Sequence, residues 1–117
     1  MSYSKEALRD KRCTPCEGGV DPLTGDTIDQ LIASLDPEWR VSNDQRTLER
    51  TIEFAGFNRV MSFANAVAWI ANTEGHHPVM ELKYGSVAVC WTTHAIDGLS
   101  VNDFICAAKT DHLLESV

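Results

Sequence analysis

A chain of 117 residues with 44% hydrophobic and 23% charged residues is long enough to bury one core and is composed like a soluble globular domain. Its net charge of −7 and pI near 4.9 disfavour contact with a phosphate backbone, so direct nucleic-acid binding is not expected. The longest apolar run, AVAWIA at 66–71, is far short of a membrane span, and the N-terminus lacks the apolar region of a signal peptide, so the expected location is cytoplasmic.

Residues 1–25, MSYSKEALRDKRCTPCEGGVDPLTG, carry little apolar periodicity and turn rich in Gly, Pro, Thr and charge. They are expected to form a weakly structured arm, with a single domain over 26–117. Cys13 and Cys16 have the spacing of half a zinc site but no second close pair, and read as two thiols on a flexible arm. Cys90 and Cys106 sit in apolar periodic segments and read as small core residues of a reduced protein.

A first helix follows, with Asp26 or Thr27 as cap and Thr27 and Gln30 at capping-box spacing. Ile28, Leu31, Ile32 and Leu35 form its apolar stripe, and Pro37 ends it. WRVS begins a short strand and NDQ is a turn. TLERTIEFAGF then alternates, with Leu48, Ile52 and Phe54 on one parity and Glu49, Thr51 and Glu53 on the other, as in a half-buried antiparallel strand. Arg50 breaks the apolar parity.

From about Asn58 to Thr73 the period becomes helical, through Val60, Phe63, Ala64, Val67 and Ala68, and Gly75 is the stop signal. HHPVMELKY and VAVCWTTH flank a Gly85–Ser86 turn and read as a hairpin. A last helix runs from near Ser100 to about Leu114. The order α-β-β-α-β-β-α folds economically as a two-layer α+β domain: a four-stranded antiparallel sheet with three helices on one face and the other face open. Edge strands could extend the sheet into a second copy, so an oligomer is expected.

Three of the four histidines lie between 76 and 94. His76 and His77 occupy an extended handover from helix to strand, held so by Pro78, and neighbouring side chains there point to opposite sides. A hairpin brings its ends together, so His94 should return to the same rim of the sheet. Two chemistries are open to that cluster. Zinc could be held by His76 or His77, His94 and a carboxylate, although the helical H-x-x-x-H spacing is missing. Alternatively, neutral imidazoles suit proton transfer near pH 7 with no metal. Ser100 and Asp103 have capping-box spacing, and that helix start should point at the histidine rim. Trp39 is by default a packing residue, or else a flat ring at a pocket mouth.

HHP, Tyr84, His94 and Asp103, at their spacing over 76–103, resemble the signature of the pterin-4a-carbinolamine dehydratases, also called 4a-hydroxytetrahydrobiopterin dehydratases. The resemblance extends to PEW at 37–39, FNRVMSFANAVAWIA at 57–71 and HAIDGLSVNDFICAAKTD at 94–111, and CTPCEGG is similar to the arm of bacterial members. It implies a hydro-lyase that removes water from a 4a-hydroxytetrahydropterin to give a quinonoid dihydropterin in tetrahydropterin recycling, without cofactor or metal. It implies that His76 and His94 are the acid–base pair and that His77 mainly binds substrate. Pro78, Thr93 (through backbone groups) and Trp39 would line the substrate site, and Asp103 would support it. Asn72 stands where the family usually has an acid, and Glu74, two residues on, could substitute for it. A homodimer or homotetramer is implied, as is a pathway link to an aromatic amino-acid hydroxylase. The alternative on the same fold is a non-catalytic interaction protein, a dimerisation cofactor or transcriptional coactivator acting through helix surfaces.

Overall fold

A computed structural model describes residues 4–15 and 18–115. In chain order the elements are α1 (Lys5–Asp10), α2 (Gly25–Ile32), β1 (Arg40–Val41), β2 (Leu48–Glu53), α3 (Phe57–Glu74), β3 (Val79–Lys83), β4 (Ser86–Trp91) and α4 (Val101–Leu114), with one turn of 3-10 helix at His94–Ile96. The strands form one antiparallel sheet in the order β1-β2-β4-β3. The α+β architecture expected from the periodicity is therefore the observed one.

Register explains the layering. Leu48 pairs with Trp91, Arg50 with Val89 and Ile52 with Val87, so these six side chains share the face covered by α3 and α4. Leu48, Val87, Val89 and Trp91 are wholly buried there. Glu49, Thr51, Glu53 and Cys90 take the other parity and stay on the open face. Arg50, which broke the alternation, lies on the covered face because its guanidinium has a buried partner. Its Nη1 is 2.7 Å from Asp111 Oδ1 on α4 and 3.7 Å from Asp36. Burial pushes the Asp111 carboxyl above its ordinary value, against bonds from Trp39, the Asp36 amide and Arg50.

The N-terminal arm differs from expectation. Residues 5–10 form a helix, capped by the Ser4 hydroxyl, which accepts from the Ala7 amide at 3.0 Å. Its one buried residue, Leu8, enters the common core as the helix packs on α4. One buried apolar residue in six is too weak a period to read from sequence, and tertiary packing supplies the stability instead. Beyond α1 the chain is irregular to Pro15, and the expectation for Cys16 lies outside the described residues.

Two junctions set up the site. The chain leaves α3 through Gly75, whose φ of 66° is left-handed and whose amide, like that of His76, donates to the Ala71 carbonyl. The hairpin turn lies at Tyr84–Gly85, one residue earlier than expected, and β4 returns the chain beside β3.

Candidate active site

The histidine rim forms as the hairpin geometry requires. His76, His77 and His94 line one cavity of about 180 Å3, together with Thr92, Thr93 and Ala95 from the stretch that follows β4, Glu74 and Gly75 from the end of α3, and Thr14, Pro15 and Asn102. His76 is half-buried, whereas His77 and His94 are exposed. One imidazole is thus held by the protein and two are free to meet a ligand.

His76 is fixed from two directions. Its Nε2 lies 2.6 Å from Oδ1 of Asp103, which is wholly buried at the start of α4. Its ring stacks on Trp91, with centroids 5.8 Å apart and planes within 7°. The other oxygen of Asp103, Oδ2, accepts from the Thr93 hydroxyl at 2.8 Å and the Ser100 amide at 2.9 Å. A hydroxyl has one proton, so with Thr93 donating to Asp103, the Ser100 hydroxyl donates to Thr93 across 2.8 Å. An ionised carboxylate needs donors on every side when buried, and Asp103 has them. Since Asp103 can only accept, His76 places its proton on Nε2 and leaves Nδ1 as the ring nitrogen without a partner among the described residues.

Several expectations need correction. Trp39 does not line the cavity. It is 3% exposed, packed in the core, and its indole N–H donates to Asp111 Oδ1 at 2.8 Å. Thr93 reaches the site, but its backbone groups are already engaged: its amide donates to Gly98, and its carbonyl accepts from Ile96 and Gly98. Its hydroxyl, through Asp103, is the useful part. Pro78 borders the histidines in sequence without lining the cavity. Asn72 is exposed and lines nothing there.

Glu74 does line the cavity, yet its carboxylate mainly ties down the N-terminal segment. Its side chain is 4% exposed; Oε1 accepts from the Cys13 amide at 2.8 Å, and Oε2 lies 3.0 Å from Arg12 and 3.8 Å from Lys109. Burial raises this carboxyl, but the Cys13 amide, Lys109 and Arg12 outweigh it and hold the group below its ordinary value. Asn102 completes the anchorage: the Thr14 amide donates to its Oδ1 at 3.0 Å, and its Nδ2 donates to the Thr14 carbonyl at 2.7 Å.

Sequence reading missed Trp91, Asn102 and Ser100 as parts of the site. Trp91 sits in an apolar strand and looks like core, which it also is. Among the described residues, no three His, Cys, Asp or Glu side chains are grouped so as to hold a metal ion. Nor is any described helix long and apolar enough to cross a membrane.

Comparison with known proteins points one way. The family model described as "Pterin 4 alpha carbinolamine dehydratase" matches residues 21–113. A protein of Nitrosomonas eutropha named "Putative pterin-4-alpha-carbinolamine dehydratase" is 47% identical over 93% of this chain and 95% of its own length. A protein of the same name from Legionella pneumophila strain Corby is 46% identical over 92% and 95%. Among solved structures, one from Brucella melitensis, described as a transcriptional coactivator/pterin dehydratase, superposes with a TM-score of 0.75. It is 25% identical and covers 80% of this chain and 98% of its own.

Proposed function

The chain belongs to the pterin 4 alpha carbinolamine dehydratase family, and from that premise we propose that it eliminates water from a 4a-hydroxytetrahydropterin to give the quinonoid dihydropterin. The observation that carries the reading is the buried Asp103 carboxylate, 2.6 Å from His76 on a rim shared with His77 and His94.

The elimination breaks the C4a–O bond and forms a C4a=N5 bond. N5 must lose a proton and the departing hydroxyl must gain one. His76, with its proton held on Nε2 by Asp103, offers the Nδ1 lone pair as the base for the N5 proton. The imidazolium so formed is stabilised by the carboxylate behind it and the Trp91 ring beneath it. His94, exposed on the opposite side of the hairpin mouth, is the acid that protonates the hydroxyl. His77 grips the pterin. Two proton transfers suffice for the chemistry, so the residues need neither a metal nor a redox cofactor to perform it. The role is tetrahydropterin recycling in the cytoplasm, downstream of an enzyme such as an aromatic amino-acid hydroxylase that leaves a hydroxyl on C4a. The open edge of β3 offers a surface on which a homodimer or homotetramer could form.

The experiment is water release from a synthetic 4a-hydroxytetrahydropterin, measured against the spontaneous rate. His76→Ala should lower the catalysed rate by roughly 10²–10⁴; an unchanged rate would sink the assignment. The Brucella protein's description joins coactivator to dehydratase. A purely interacting role would use helix surfaces and survive His76→Ala in a pull-down, with no rate above background in either protein.

A further inference from the structure

The cysteines play no part in the acid–base site, yet two of them meet beside it. Cys13 and Cys106 lie 93 positions apart in sequence, and their sulfurs are 3.6 Å apart. Cys106 is wholly buried on α4, while Cys13 is partly exposed on the irregular stretch after α1. The contact is held from both sides. The Cys13 amide is bonded to Glu74, and Thr14, the next residue, is bonded twice to Asn102. Thr14 and Pro15 in turn line the histidine cavity.

We propose that Cys13 and Cys106 form a reversible disulfide that fastens the N-terminal segment against the wall of the histidine cavity. The proposal does not depend on the dehydratase reading. The oxidant is a small-molecule disulfide. The accessible Cys13, as thiolate, attacks one of its sulfurs; that S–S bond breaks and one small thiol leaves. Cys106 then loses its proton and attacks the Cys13 sulfur. The mixed disulfide breaks, and the second small thiol leaves. Two protein thiols give up two electrons and two protons, and the small disulfide takes them up as two thiols. The hydrogen bond that the Cys106 thiol makes to Cys13 and its burial both hold Cys106 well above its ordinary pKa, and Cys13 is the more exposed of the two, so Cys13 reacts first. The sulfurs must close to about 2.05 Å, and the partly exposed Cys13 side chain, rather than the tied backbone or the buried Cys106, is the side that can turn to do so.

Cys90 is an internal control. It lies on the open face of the sheet, and burial pushes its thiol up to about 11, so it should stay reduced.

The test equilibrates the full chain in graded mixtures of reduced and oxidised glutathione, quenches with acid, alkylates free thiols and maps the linkages by mass spectrometry. A Cys13–Cys106 linked peptide should rise with oxidant in the parent chain and in Cys16→Ser, with Cys90 alkylated throughout. It should vanish in Cys13→Ser and Cys106→Ala. If Cys106→Ala does not fold, Cys13→Ser alone decides, because its side chain is only half-buried. The oxidised chain should also lose cleavage by a dilute protease within residues 11–15, slowed roughly tenfold relative to the reduced chain. A Cys13–Cys16 disulfide in place of the long-range one would overturn the proposal. So would both thiols remaining free at the most oxidising mixture in a folded chain, or zinc bound stoichiometrically and shielding them.

Discussion

Asp103→Asn isolates the charge of the buried carboxylate from its shape. Ser100 and Thr93 both donate to Oδ2, so the amide will place its carbonyl oxygen there and keep the start of α4 capped. Its NH2 group then faces His76 Nε2 across the 2.6 Å contact, where a carboxylate oxygen stood. Two donors cannot share that contact, so the His76 proton moves to Nδ1, the nitrogen needed as base. The imidazolium also loses its counter-charge. A hydrogen bond to a charged group is worth about 1.5–3 kcal/mol, or roughly 10–150-fold in rate, and the wrong tautomer adds to that. The expected loss is about 10²–10⁴ in the dehydration rate, with the unfolding free energy from urea titration changed by about 1 kcal/mol or less because the cap survives. The assay follows product absorbance from a synthetic 4a-hydroxytetrahydropterin, with the spontaneous rate subtracted. A variant within about threefold of the parent, beyond ordinary scatter in such constants, would refute the view that Asp103 sets the His76 tautomer.

Trp91→Leu removes the ring beneath His76, and cation–π contacts of about 0.5–2 kcal/mol translate to a rate loss of roughly 2–30-fold; steady-state rates that do not move would reduce the stack to packing. Trp39→Phe deletes the N–H bond to Asp111 and should cost about 1–3 kcal/mol in urea unfolding with the rate per folded molecule intact. A tenfold rate loss at unchanged stability would instead return Trp39 to the substrate site. Glu74 gives a pH dependence. Its native pKa lies below its ordinary value of 4.5, so its stabilisation is complete above that pH and is lost as pH falls through the lower native value. In Glu74→Gln the acid-side fall in urea midpoint should be shallower; superimposable curves from the two proteins would contradict the anchor.

The sequence showed most clearly what depends on local period. The β2 alternation and the α3 stripe ending at Gly75 were readable because one buried face repeats at a fixed interval, and the hairpin from Val79 to Trp91 because a glycine turn separates two strand-like runs. Even Arg50, which broke the pattern, pointed at something real: a cation on the covered face must have a buried anion, and Asp111 supplies it. The anion itself was hidden, because a lone Asp late in a helix looks like a solvated surface residue. Helix α1 was hidden for a related reason: one leucine in six residues has no period. Trp39 was misread because a Trp entering a strand looks the same whether its indole faces a ligand or Asp111.

The convergence of His76 and His94 could be inferred because antiparallel pairing alone brings the two ends of a hairpin together. The orientation of His76 could not, because it depends on a contact 27 positions away, from the first turn of the next helix. Capping-box spacing marked Asp103 as a helix-start residue, and the cap is real. Yet a carboxylate has two oxygens. Capping uses Oδ2, and burial obliges Oδ1 to find a donor of its own. Once the α4 start is pressed against the end of β4, the available donor is His76. The group that starts a helix and the group that orients a base are therefore one side chain. Losing the charge should separate the two roles, keeping the helix and losing the chemistry.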